Sequence, residues 1–178
     1  MKRSLILVGL PGAGKTTVGR RVAEILSADF TDIDEEVEAE TGRSIAAIFA
    51  EAGEAEFRRL ERAAMDRALG QPPHLIAAGA GWIAQPGNLE AAAAAGARVL
   101  YLRIAPEVAV ARVGRDRSRP LLAGGNRFAR LRALLAERGE WYERADLVVD
   151  GEAAPEVVAQ SVAASSEELA VPGDAGPG

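Results

Sequence analysis

Eight consecutive residues, Gly9-Leu10-Pro11-Gly12-Ala13-Gly14-Lys15-Thr16, restrict this chain more than any other stretch of it. They satisfy the pattern G-x-x-x-x-G-K-[ST] in full. Glycines at these positions let successive backbone N–H groups turn inward around phosphate oxygens, with no Cβ in the way. The pattern carries meaning only between a buried strand and a helix whose positive N-terminus faces the same anion. Both flanks are there. Ser4 to Val8 is an apolar run, and Thr16 to Ser27 places Val18, Val22, Ile25 and Leu26 on one helical face. A chance glycine-rich turn would lack that context. Gly12, Ala13, Gly14, Lys15, Thr16 and Thr17 are therefore candidate nucleotide-binding residues, with Lys15 reaching the β- and γ-phosphates and Thr16 placed to ligate Mg²⁺. The chain has 21 basic residues, and only Lys2 and Lys15 are lysine. A lysine inside a motif of so arginine-rich a sequence marks a site that needs a compact ammonium.

Strand and helix signals alternate along the rest of the chain. Short apolar strands are predicted at 4–8, 29–33, 74–78, 98–104 and 147–149, separated by helical stretches. Among these are 44–50 and 54–69, the latter amphipathic through Phe57, Leu60, Ala64 and Leu69. Five strands interleaved with helices imply an α/β fold, with a mostly parallel sheet covered on both faces. A length of 178 residues with 48% apolar content fits one domain, here 1–170, followed by a Pro/Gly-rich tail at 171–178 that is expected to be disordered. A net charge of −5 and the absence of cysteine exclude a nucleic-acid footprint, disulfides and cysteine-ligated metals. The first apolar run stops at Gly9, too early for a membrane span, and a cytoplasmic monomer is expected.

The phosphate motif does not say what the nucleotide is for. A guanine-reading N-K-x-D is missing, since neither Asn88 nor Asn126 precedes a lysine. Asp32 and Asp34 close the second strand, where open α/β sheets place ligands. Two carboxylates at i and i+2 on an extended segment share a face, one to orient metal-bound water and one to take a proton from a hydroxyl. Alternatively, Asp34 caps the acidic helix that follows. Arg58 has Glu54 one turn before it and Glu61 three residues after, so by itself it reads as a surface ion pair. Gly114 to Gly125 carries Arg115, Arg117 and Arg119 among glycines and Pro120, and with Arg112 it makes a cationic lid or a solvated loop.

Taken together, the segments GLPGAGKTTVGRRVA, FTDID, TGRSIAAIFAEAGEAEFRRLE, SRPLLAG and RALLAERGEWY closely resemble the shikimate kinase family, from Leu5 to about Tyr142. The resemblance implies a three-layer P-loop kinase fold: a five-stranded parallel sheet flanked by helices, with an Arg-rich lid at about 112–125. It implies transfer of the γ-phosphate of ATP, with Mg²⁺, to a shikimate hydroxyl, giving shikimate 3-phosphate for aromatic amino acid biosynthesis. Asp34 then binds the acceptor hydroxyls and serves as base, and Arg58 and Arg138 hold the carboxylate, a bidentate task suited to arginine. Phe49 and Phe57 wall the ring, Glu61 positions Arg58, Arg112 stacks on adenine, and Arg119 meets the transferring phosphate. Lys15, Asp34 and Arg119 form the catalytic set, with Thr16 and Asp32 as metal positions.

The acceptor turn departs from the family. Three glycines are usual there, but this chain has Gly79-Ala80-Gly81, followed by Trp82 in place of a small residue and preceded by Ala77 where Ser is frequent. A Cβ at Ala80 is tolerable only if its φ stays negative. Trp82 is expected to line the acceptor pocket, the other option being to pack against the neighbouring helix. Another small-acid kinase, such as a gluconate kinase, and a non-catalytic nucleotide-binding paralogue are the alternatives.

Overall fold

The computed structural model describes residues 2–113 and 126–168. Of the expected lid at about 112–125, residues 114–125 with Arg115, Arg117 and Arg119 lie outside these residues, as does the tail at 171–178. Five strands, β1 (Leu5–Val8), β2 (Phe30–Asp32), β3 (Leu75–Ala77), β4 (Arg98–Arg103) and β5 (Leu147–Asp150), form one parallel sheet in the order β2-β3-β1-β4-β5. The helices are α1 (Lys15–Leu26), α2 (Ile33–Thr41), α3 (Ile45–Leu69), α4 (Asn88–Ala94), α5 (Pro106–Val113), α6 (Arg127–Tyr142) and α7 (Pro155–Glu168). A short 3₁₀ turn occupies Trp82–Ala84.

The apolar pattern explains this arrangement. All four residues of β1 are buried, as a central parallel strand covered on both faces requires. Its neighbours β3 and β4 bury Leu75, Ile76, Val99, Leu100 and Leu102. Ser44 caps α3 by accepting from the Ala47 N–H, and Gly53, at φ 80° and ψ 173°, breaks that helix into the two predicted segments. Register then places the site. Leu7 and Asp32 flank Ala77 on neighbouring strands, so the carboxyl ends of β1, β3 and β2 finish side by side. The phosphate motif, the glycine turn and the aspartate pair therefore emerge along one edge, next to the point where strand order reverses.

Candidate functional site

A cleft of about 670 Å³ opens along that edge, a size typical of small-molecule sites. Residues 11–18 floor it. Gly12 and Gly14 adopt φ of 88° and 87°, a left-handed conformation open to glycine at little cost, and these bends curl the loop into a cradle. Helix α1 starts at once behind it, with the Val18 N–H donating to the Gly14 carbonyl at 2.8 Å. The Lys15 ammonium folds over the loop and donates to the Gly9 carbonyl at 3.0 Å. Its charge thus stands over the cradle.

Asp32 has a double role that differs from the sequence expectation. One oxygen, Oδ1, caps α2 by accepting from the Asp34 N–H at 3.0 Å, and the other accepts from the Thr16 hydroxyl at 2.6 Å. The cap is therefore Asp32, not Asp34. Nor is the segment extended through both aspartates, because α2 begins at Ile33 and Asp34 occupies its first turn. Asp34 still faces the cleft, where its carboxylate meets the glycine turn. The Thr16 hydroxyl and Asp32 carboxylate form an all-oxygen pair at the mouth of the cradle. Such hard donors suit Mg²⁺, which takes one or two protein oxygens and completes its shell with phosphate and water.

The opposite wall comes from α3 and the turn after β3. Phe49 and Phe57 pack with ring centroids 4.9 Å apart, and the Arg58 guanidinium lies 5.1 Å from the Phe57 centroid. Arg58 does pair with Glu54, at 3.0 Å, but also with buried Glu61 at 2.7 Å. That second partner removes it from the ordinary surface-pair class. Burial lifts the Glu61 carboxyl to about 7 against the pull of Arg58, with Asp34 adding to the rise and Arg138 opposing it. Arg58 lines the cleft. Arg138 does not form part of the wall built by the described residues. It is buried on α6, and its Nη1 has no hydrogen-bond partner among the described residues.

The glycine turn is explained by its neighbours. A Cβ on Gly79 would overlap the Glu61 carboxylate and crowd Asp34 Oδ1 at 3.2 Å, and one on Gly81 would stand 2.5 Å from Arg58 Nη2. Neither glycine has positive φ, and Ser27 is the only non-glycine residue with positive φ among the described residues. Ala80 therefore meets the condition set for it, and its side chain reaches the cleft without strain. Trp82 corrects the expectation. It is 1% exposed, absent from the cleft wall, and packed in the core, with its carbonyl held by the Asn88 side chain.

At the far end of the cleft, Arg112 donates from Nη1 to the Gly151 carbonyl at 2.7 Å and from Nη2 to the Glu152 carbonyl at 2.8 Å. Arg112, Gly151, Ala153 and Pro155 form the rim there. Sequence reasoning missed that carbonyl clamp, and it missed Tyr142, whose hydroxyl donates to the Ala80 carbonyl at 2.6 Å. No local motif signals a contact spanning 62 residues. Among the described residues no group of three or more His, Cys, Asp or Glu is placed to hold a metal ion, and no helix is long and apolar enough to cross a membrane.

Comparison with known proteins gives a consistent result. The family model described as Shikimate kinase matches residues 11–167. A shikimate kinase of Mycobacterium avium (strain 104) is 46% identical over 145 residues, 82% of this chain and 81% of the relative. One from Thermobifida fusca is 45% identical over 171 residues, 95% of this chain and 96% of the relative. The structure of Acinetobacter baumannii shikimate kinase in complex with shikimate superposes with a TM-score of 0.90 at 34% identity, covering 96% of each chain.

Proposed function

Because this chain belongs to the shikimate kinase family, we propose that it transfers the γ-phosphate of ATP to a hydroxyl of shikimate, acting as a cytoplasmic monomer. One observation carries the reading: a single cleft holds both the phosphate cradle and an acceptor wall bearing Asp34 and Arg58. A nucleotide switch needs the first and has no use for the second.

The roles follow from charge and position. The cradle N–H groups and Lys15 hold the phosphates and neutralise charge as it builds on the transferring group. Arg112, fixed by the carbonyls of 151 and 152, offers a planar face at the rim for adenine. Arg58, already desolvated against Phe57 and Glu61, binds the acceptor carboxylate from the wall, and Arg138 adds its charge from behind. Phe49 and Phe57 confine the ring. Asp34 orients the acceptor hydroxyl and takes its proton as the oxygen bonds to the γ-phosphorus and the bond to the β-phosphate oxygen breaks, releasing ADP. Thr16 and Asp32 would hold Mg²⁺, which when bound shields phosphate charge. Arg119 is proposed to meet the transferring phosphate.

A coupled assay of ADP release across shikimate, gluconate, other hydroxylated acids and no acceptor tests this. Shikimate should stand well above the rest. Equal turnover without any acceptor, or a preference for gluconate, would contradict the proposal.

A further inference from the structure

The four carbonyls of the acceptor turn are all engaged, but not in the same way. Gly79 accepts from the Trp82 N–H at 3.0 Å, Gly81 from the Ala84 N–H at 3.3 Å, and Trp82 from the Gln85 N–H at 3.1 Å and Asn88 Nδ2 at 2.8 Å. All these partners lie within the following nine residues, in the turn itself and at the first residue of α4. The Ala80 carbonyl alone is held from a distant element, by the Tyr142 hydroxyl on α6. Tyr142 is itself rigidly placed. It is fully buried, and its ring stacks on Tyr101 of β4 with centroids 4.8 Å apart and planes 9° from parallel. Arg138 lies one helical turn earlier on the same helix.

We propose that Tyr142 is a positioning residue for the acceptor: its hydrogen bond to the Ala80 carbonyl sets the distance of the glycine turn from Asp34 and Arg58 and keeps Arg138 in register with that turn. The inference rests on the acceptor reading of the cleft. Burial pushes the Tyr142 phenol well above its usual range, with Arg138 offsetting part of the rise, so the hydroxyl keeps the proton it donates. The bond also explains why an Ala80 side chain is accommodated. The turn is tied through its carbonyl, and Ala80 itself lines the cleft with no positive φ.

Tyr142→Phe removes the hydroxyl and keeps the stacked ring. Losing one buried hydrogen bond of this kind should raise the KM for shikimate about three- to tenfold. KM for ATP should stay within about twofold, and the amides of Ala80 and Gly81 should exchange faster in the ligand-free protein. An unchanged shikimate KM, whether or not thermal stability falls, would overturn the proposal. An equal rise in both KM values would overturn it too, since that marks general loosening. If the wild type fails to phosphorylate shikimate while the amides still exchange faster in the variant, the substrate reading fails and the positioning role stands.

Discussion

The two halves of the cleft differ in what they ask of glycine, since only the phosphate cradle needs left-handed backbone. In the phosphate cradle, Gly12 and Gly14 supply left-handed backbone, and the chain could not curl there with ordinary residues. In the acceptor turn, no residue is left-handed. Gly79 and Gly81 instead leave room where a Cβ would meet the Glu61 carboxylate and the Arg58 guanidinium. The curl of the cradle is written in eight consecutive residues, although α5 packs so closely behind Gly12 that a Cβ there would also meet Ala109 and Val113. The acceptor wall depends on α2, α3, the turn after β3, and α6 arriving together. A cradle of that kind tolerates little sequence change and reveals little about the substrate, whereas the assembled wall can absorb a change such as Ala80 if its neighbours leave room.

That contrast can be broken or sharpened by substitution. The largest effect is expected in the cradle. Lys15→Met should lower kcat on the order of 10²–10³-fold with thermal stability retained, because the ammonium serves developing charge and not packing. Near-normal turnover would erase the distinction between the halves. Next comes Arg58→Ala, expected to weaken acceptor binding roughly ten- to a hundredfold and ATP binding little, with Arg138→Ala, acting from behind the wall, expected to shift acceptor binding the same way by less. Calorimetry showing equal losses for both ligands would make the halves one unit.

Glu61 gives a pH signature belonging to the acceptor half alone. Its carboxyl is raised from an ordinary value of 4.5 to about 7 in the folded protein. The folded state therefore keeps a proton over a range where the unfolded chain has released it. Stability from this group is greatest at low pH and is lost as pH rises through about 7, a change on the order of 2 kcal/mol between pH 5 and 8. Glu61→Gln should flatten that part of the stability profile in denaturant titrations at the two pH values. A wild-type profile that rises with pH over this interval, and is unaltered by the substitution, would contradict the buried environment. The smallest effect is expected for Ala80→Gly. With no positive φ to relieve, shikimate kinetics should stay within about twofold, and a large gain in activity would show that the methyl displaces the turn.

The legibility of these regions follows the same division. Strands, helices and the cradle were readable because hydrophobic periodicity and the glycine pattern are local. The Gly53 break fell between two predicted helices for that reason. Asp32 against Asp34 was misjudged because helix α2 begins one residue before the second aspartate, and an i/i+2 spacing alone cannot show where extended backbone ends. Trp82 was expected in the pocket on the basis of its neighbours in sequence, yet burial in the core decides its place. Tyr142 was invisible, since its meaning comes from one hydrogen bond to a carbonyl 62 residues away. The pairing of Arg58 with Glu61 is implied by the family resemblance, and what the structure adds is the burial of Glu61 beneath it.

The central claim is that cradle and wall meet so that phosphate passes to a carboxylate-bearing acceptor and not to water. Phosphorus NMR of the wild-type protein incubated with ATP, Mg²⁺ and shikimate tests this most directly. The account predicts a new phosphomonoester resonance growing one-for-one with ADP, and almost no inorganic phosphate. ADP accompanied only by inorganic phosphate, with no phosphorylated shikimate, would contradict it.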